Sequence, residues 1–501
     1  MHVWNHPLRR RFPDTIGPRS LHHPEGVIIV RRTSTAENRG GSRGRLRNES
    51  GATLAVVTIL GFLMLITSAA VFQFGVQDAA LAQREAERTR ALFLAEAGLQ
   101  KAHTWLEAQV DPPAGISLIE PFGSSPDTTG GGTYYASILP DPSNPAMTRK
   151  YYTITSTATV GEQTRTVARE VMTQSFAQFI YFTEDEHLPG SVTPVWFCSA
   201  DEIDGAVHTN GQVHIMGDPV FGGHLSSAYG GPDDPDFGNT PSFMYYNGNY
   251  WEHLESSAPD NAPYDSPTFG DGYELGTTSI ELPNYLDDIE SIASSGGLTL
   301  SGNTKIVLSR DAGSGPMYGT LSYRPTLGGA WTDVDLSTFN GVVFVEGETK
   351  VSGVLDGCLT IASSNDMYIV DDVTYRGADP VMGPLEGCDD ILGLVSQENV
   401  IVKDNSANRV NCSIHAHIMA LDTSFQVENY RSGRCRGTLT VHGGIIQRYR
   451  GAVGTGYIQG DSVVISTGYA KNYHYDARFD MLQPPGYFLT GKYYELQWRE
   501  V

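Results

Sequence analysis

Residues Ala52 to Gln77 read ATLAVVTILGFLMLITSAAVFQFGVQ, 26 consecutive positions without a charged side chain. As an α-helix this run is about 39 Å long at a rise of 1.5 Å per residue, more than the roughly 30 Å hydrocarbon core of a bilayer. The expectation is a transmembrane helix over residues 52–77. Its flanks give it a direction. Residues 1–50 carry ten Arg and four acidic side chains, a net +6, and the remaining 451 residues carry 24 basic and 53 acidic ones, a net −29. By the positive-inside rule the basic leader, residues 1–51, is cytoplasmic, and everything after the span lies outside. A leader this rich in Arg, Gly and Ser is expected to be disordered. A cleaved secretory signal with a small-residue site near Ser68, Ala69 and Ala70 is the alternative, but its apolar region normally runs to only about 7–15 residues.

The helical pattern continues beyond the span. From Asp78 to Val110 there is no Pro and one Gly, and Leu81, Leu92, Ala95, Leu99, Ala102 and Leu106 recur on one helical face. Arg84, Glu85, Glu87, Arg88, Arg90, Glu96 and Lys101 fill much of the other face, and Pro112 and Pro113 end the helix. One helix of nearly sixty residues is expected, apolar first and amphipathic second. Residues 131–176 offer the amphipathic half a sheet: GGTYYASIL, KYYTITSTATV and QTRTVAREVMT read as a three-stranded antiparallel meander.

The rest of the 501-residue chain is poor in charge (18%) and rich in turn formers, with 55 Gly and 27 Pro, which favours short strands over packed helices. Between Asn340 and Gly456 short apolar strands such as GVVFVEG, LTIASS, HAHIMAL and LTVHGGIIQ recur between Gly, Asn and Asp turns. Such runs stack as rungs of a parallel β-solenoid, each burying inward side chains on the next. Irregular spacing leaves a β-sandwich as the alternative. Residues 228–279, dense in Gly, Pro, Asp and Tyr, read as a long insertion, and Asn284–Ser295 as a short helix.

Candidate chemistry is thin. Gly40 to Gly44 matches G-x-S-x-G but sits in the basic leader without a strand before it, and Gly486 to Lys492 approximates a P-loop with Tyr493 where Ser or Thr must hold magnesium. His415 and His417, two apart on an apparent strand, could face one way, with His208 and His214 as further donors, yet no converging set of three or four ligands is evident. Packed histidines and no metal are the expectation. The pairs Asp233-Asp234, Asp287-Asp288, Asp371-Asp372 and Asp389-Asp390 raise glycoside hydrolysis, but neighbouring residues on a strand face opposite ways, so turn and solvation roles are preferred. Five cysteines permit disulfides outside the cytoplasm, with Cys412–Cys435 or Cys358–Cys388 as candidate pairs and at least one thiol left over.

The run ESGATLAVVTILGFLMLI followed by RTRALFLAEAGLQKA resembles the N-terminal region of PilX-type type IV pilus assembly proteins. The matching residues are Gly51 before Ala52, and the helix motif Ala95, Glu96, Ala97 and Gly98. Val56 stands where a major pilin carries Glu, so the resemblance is to a minor pilin-like protein. Residues 195–227, 279–309, 443–456 and 473–488 look like an uncharacterised extracellular β-rich domain fused to such N-termini.

The resemblance implies a pilin-like unit over 78–176, an extracytoplasmic body over 177–501, and processing by prepilin peptidase between Gly51 and Ala52. It also implies bundling with pilin or pilin-like subunits. The expected class is mainly β with a long N-terminal helix, a single-pass protein of the cytoplasmic membrane whose body is periplasmic or extracellular, without catalytic residues or cofactors. An acidic body repels nucleic acid, so none is expected as a partner. The alternatives are a surface adhesin or glycan-binding protein, in which Tyr245, Tyr246, Tyr250 and Trp251 stack on sugars, and a membrane-tethered polysaccharide hydrolase or lyase.

Overall fold

A computed structural model describes residues 50–109, 112–113, 115–142, 150–216, 218–229, 243–246, 251–254, 267–459 and 462–501. The leader up to residue 49, Asp233-Asp234 and Tyr250 lie outside these residues, and of Tyr245, Tyr246 and Trp251 only strand backbone is described. The chain is mainly β with one long N-terminal helix, and it divides into two compact units, one ending at Asp78 and one spanning Ala79–Val501.

Helix α1, Ser50–Glu107, is 58 residues long. In the first unit its side chains from Thr53 onward are largely exposed, Leu54, Phe62 and Leu65 at more than 60%. The apolar stretch is long and apolar enough to cross a membrane. Its hydroxyls are satisfied within the helix: Thr58 Oγ1 donates to the Leu54 carbonyl at 2.7 Å and Thr67 Oγ1 to the Leu63 carbonyl at 2.9 Å. Such back-bonding satisfies these two hydroxyls without a partner outside the helix.

In the second unit the helix lies on an antiparallel sheet of β1 (Asp127–Thr129), β2 (Gly132–Pro140), β3 (Tyr151–Val160) and β4 (Gln163–Ser175). The meander has a fifth member absent from the sequence reading. The C-terminal strand Leu489–Glu500 returns to pair antiparallel with β4, Tyr494 opposite Met172 and Trp498 opposite Arg169. A boundary that gives all of 177–501 to one β-rich body is therefore corrected at its end. The period of a strand says which face is buried, not which edge it joins.

Beyond β4, strand β5 (Phe179–Asp185) enters a stack of parallel ladders. One ladder orders the molecule. Leu298–Ser301 pairs with Val342–Glu346, then come Cys358–Ser363, Ile391–Ser396, Cys412–Ala420 and Cys435–Tyr449. Next in line is β5, followed by Ala206–Thr209, Leu225–Ser227 and Tyr273–Leu275, every pairing parallel. The chain thus starts in the middle of the stack and builds outward to residue 275. It then passes to the far end at Leu298 and returns rung by rung to meet its own start.

Thr268–Phe269 and Tyr273–Leu275 are ladder strands, so the insertion read at 228–279 extends too far. Dense turn residues hid two short strands. Helix α2 (Asp287–Ser294) lies within the passage to the far end, with Asp287, Asp288 and Glu290 in its first turn, where the helix dipole favours them.

Alternation builds two cores. In Cys412–Ala420 the side chains of Ile414, Ala416, Ile418 and Ala420 join the interior of the stack. Met419 belongs to a second cluster with Ile289 of α2 and with Phe479, Tyr487 and Phe488 of the C-terminal segment, which cover that outer face. Both faces of this strand are buried, so the outer face, which carries Ser413, His415 and His417 beside Met419, is covered as well.

Candidate functional site

The helix motif divides by face. Ala91, Ala95, Leu99, Ala102 and Leu106 are buried against Tyr134, Ile138, Tyr152, Ile154 and Val167 of the sheet. At Gly98 a Cβ would stand 2.5 Å from both Ser156 Oγ and Tyr134 Cδ2, so only glycine allows this approach of helix to sheet. Glu96 is half-buried and Ala97 faces solvent. Within the motif, then, Ala95 and Gly98 set the packing distance while Ala97, with Phe93, remains on the outer surface.

Polar groups lock the register. Lys101 Nζ donates to Tyr134 Oη at 2.8 Å and to Asp127 Oδ2 at 3.1 Å, and Tyr134 Oη donates to Asp127 Oδ2 at 2.9 Å. The hydrogen bonds from Tyr134 and Lys101 hold the Asp127 carboxyl below its usual range. Arg169 Nη1 donates to His103 Nδ1 at 3.1 Å and pairs with Glu495 of the C-terminal strand. The bond makes Nδ1 the acceptor, so His103 is the neutral Nε2–H tautomer, and burial pushes its pKa down. Helix, β4 and the C-terminal strand meet at these three side chains. Gly51 and Ala52 fall in the first turn of α1.

The histidines named from the sequence go to separate places. His415 and His417 are both fully buried on the outer face of their strand. His417 Nε2 donates to the Phe179 carbonyl at 3.0 Å and Nδ1 accepts from Tyr487 Oη at 2.7 Å, which ties β5, the strand and the C-terminal segment together. His415 Nδ1 accepts from the Tyr375 N–H at 3.2 Å. His208 lies stacked on Phe182 at 5.2 Å, its Nδ1 against Ser226 Oγ at 2.8 Å, and burial pushes its pKa down to about 4. His214 packs on Trp196 at 5.1 Å. Among the described residues no three His, Cys, Asp or Glu side chains converge on a point that could hold a metal ion.

The ladder creates a different histidine cluster, which the sequence did not disclose. His415 is opposite His442, His442 is opposite His474, and Tyr473 pairs with Ile203, so Asp204 follows His474 on the next rung. The ring centroids are 5.1 Å apart for His415–His442 and 4.9 Å for His442–His474. His474 Nδ1 donates to Asp204 Oδ2 at 3.1 Å and Nε2 faces Asn472 Oδ1 at 3.1 Å; two acceptors suit an imidazolium, and the Asp204 bond raises its pKa.

Burial lowers the pKa of His442, whose Nε2 donates to the Val381 carbonyl at 2.8 Å. A cavity of about 620 Å³ opens here, with Asp204, Val381, Met382, Cys388 and Asp476 in its walls. His415 Nε2 is buried without a hydrogen-bond partner, and the column spaces the rings along one line instead of aiming them at one point. The only sequence signal was a single His in each of two strands, TVHGG and NYHYD.

Two of the acidic pairs have local duties. Asp390 is buried and accepts from the Gly357 and Gly377 amides at 2.7 and 2.9 Å, and Asp372 accepts from the Ser413 amide at 2.8 Å. All five cysteines are free. Cys412 faces the core opposite Leu439 and Cys435 is exposed opposite Gly468, so the candidate pair Cys412–Cys435 is separated by the register.

A family model described as a domain of unknown function (DUF4900) matches residues 148–229, which take in β3, β4, β5 and the short ladder strands that follow. No curated protein matches the chain. The crystal structure of the competence-associated pilin ComZ from Thermus thermophilus aligns with 83% of this chain and 97% of that one, at 11% identity and a TM-score of 0.29.

Proposed function

We propose that this chain is a membrane-anchored, minor pilin-like structural component of a type IV pilus or a related secretion or assembly apparatus, working through helix bundling and surface contacts and not through catalysis. The observation that carries the reading is the division of labour along α1. Its apolar stretch in the first unit is exposed to solvent, which is stable only in lipid or against other apolar helices. In the second unit its small-residue face is seated on a sheet through Gly98. The resemblance of residues 49–66 and 88–102 to PilX-type N-termini supports the same assignment.

In this reading the parallel ladders are rungs of a β-solenoid displayed outside the cytoplasmic membrane. Prepilin peptidase cuts between Gly51 and Ala52, and pilin or pilin-like subunits are the partners of the freed helix. Mass spectrometry of the mature N-terminus, with co-purification in a sheared pilus fraction, is the test. A chain beginning at Ala52 and present with pilus subunits is the expected result. A chain beginning near Phe72 and released in soluble form would overturn it.

A further inference from the structure

Residues 378–385 form a short flap over the histidine column. Its two strands, Ala378–Asp379 and Gly383–Pro384, pair antiparallel. The base of the flap is fixed: Leu385 N–H donates to the Gly377 carbonyl at 2.9 Å, and Gly377 N–H donates to buried Asp390 at 2.9 Å. The tip is held differently. Val381 and Met382 are exposed, so their burial contributes little, and Asp379 Oδ1 accepts from both of their amides, which shapes the turn without tying it to the ladder. What joins the tip to the rungs is His442, whose Nε2–H reaches the Val381 carbonyl at 2.8 Å.

Donating from Nε2 leaves the neutral His442 ring with a bare Nδ1. That edge lies against Gly383, where a Cβ would stand 2.5 Å from Nδ1 and where φ is +83°. A second proton on the ring would therefore point at backbone, and among the described residues no acceptor is bonded there. The neighbouring charges are committed or repulsive. His474, stacked on His442 at 4.9 Å, ionises first because Asp204 accepts from it. His415, on the other side, is buried with its Nδ1 taken by the Tyr375 N–H and its Nε2 unpartnered, so it offers no acceptor. Asp476 is bound by Arg478 at 2.6 Å and Asp379 by the turn amides. Burial keeps the Cys388 thiol neutral, and Glu386 stands at the exposed rim.

We propose that this flap is released by acid: His442 latches it while the ring is neutral, and a second proton on that ring breaks the latch. The sign follows from the surroundings. In the closed flap, burial and then the charge of His474 hold the His442 pKa down, whereas in an open flap the hydrated ring returns to about 6.5. Between these values the open form binds more protons, so opening is favoured as pH falls below about 6.5. Val381 and Met382 form part of the wall of the cavity of about 620 Å³, and release of the tip uncovers it. The latch stands whether or not the chain is a pilus component.

The test follows the full chain in lipid nanodiscs by amide hydrogen exchange, with rates corrected for their intrinsic pH dependence. Between pH 7.5 and pH 5 the peptide covering residues 378–387 should lose protection about tenfold, the factor that one unit of pKa difference supplies. The ladder strand Ile391–Ser396 should keep its protection. His442→Gln, whose amide can still donate to the Val381 carbonyl but takes no proton, should stay protected at both pH values. His474→Asn, at a ring that is 39% exposed, should shrink the acid-induced loss. The proposal is overturned if the flap exchanges equally at both pH values, if Ile391–Ser396 opens along with it, or if His442→Gln opens on acidification as the parent does. Should His442→Gln fail to fold, an unchanged acid response in His474→Asn overturns it as well.

Discussion

Arg450 and Glu186, 264 positions apart, form an ion pair inside the molecule: Nη1 donates to Oε2 at 2.6 Å, with side chains only 2% and 1% exposed. The guanidinium also lies 4.1 Å from the Phe197 ring centroid and 4.9 Å from that of Tyr181, and Thr183 Oγ1 donates to the other carboxylate oxygen. The pair joins the strand that ends the returning arm of the stack to the segment just after β5. Both charges are desolvated, so each depends on the other. Glu186→Gln should cost about 3–5 kcal/mol by leaving a buried cation without its partner. Replacing both with apolar residues, Glu186→Leu with Arg450→Met, should cost less than that single change. Urea unfolding midpoints of the variants check this; a Glu186→Gln midpoint equal to the parent's would remove the pair's structural role.

At Gly98 the helix and the sheet are separated by less than a methyl group requires. Gly98→Ala improves helix propensity by roughly 1 kcal/mol, yet its Cβ collides with Ser156 and Tyr134. Overpacking of this kind costs about 1–3 kcal/mol, so net destabilisation is expected, whereas Ala97→Leu on the exposed side should be nearly neutral. Amide hydrogen exchange across Ala91–Leu106 and β3 is the measurement. Equal protection in both variants would count against close packing at Gly98.

Two buried histidines give the body a pH dependence of known sign. Burial holds the pKa of His208 and of His415 down to about 4, His442 adding to the effect at His415, against about 6.5 in the unfolded chain. Between these values the unfolded state binds more protons, so stability falls as pH drops from about 6.5 towards 4, by up to a few kcal/mol per group. His474 acts oppositely: its pKa is raised by Asp204, so its contribution is complete below about 6.5 and fades as pH rises through the folded value. Melting curves from pH 4 to 8 should slope upward over the acid half, and His208→Gln should flatten part of that slope. A variant with the parent's slope would show that His208 is not titrating there.

Much of α1 was legible in the chain, because a helix depends on local spacing. The uncharged run, the Ala and Leu face and the terminating Pro112 all report on neighbours within a turn or two. The AEAG motif was visible as well, but its division into packed Ala95 and Gly98 and exposed Ala97 needed the sheet beneath it. The histidines show the opposite case. His415 and His417 stood out by being two apart, yet the column pairs His415 with His442 and His474, which are 27 and 59 positions away in sequence.

The sequence by itself therefore determined the long helix, its apolar and amphipathic halves, the charge asymmetry around it and the abundance of short strands. Only the tertiary structure decided which strands are neighbours: β5 beside Cys435–Tyr449, the C-terminal strand beside β4, and residues 298–308 at the far end from residues 268–275. The reason is physical. Alternation and burial are properties of each strand alone, and many rungs share the same apolar pattern, so nothing local distinguishes one edge from another. Parallel pairing is settled by the fit of whole rungs and by single long-range contacts such as Arg450 with Glu186, which exist only once the chain has come back to its own beginning.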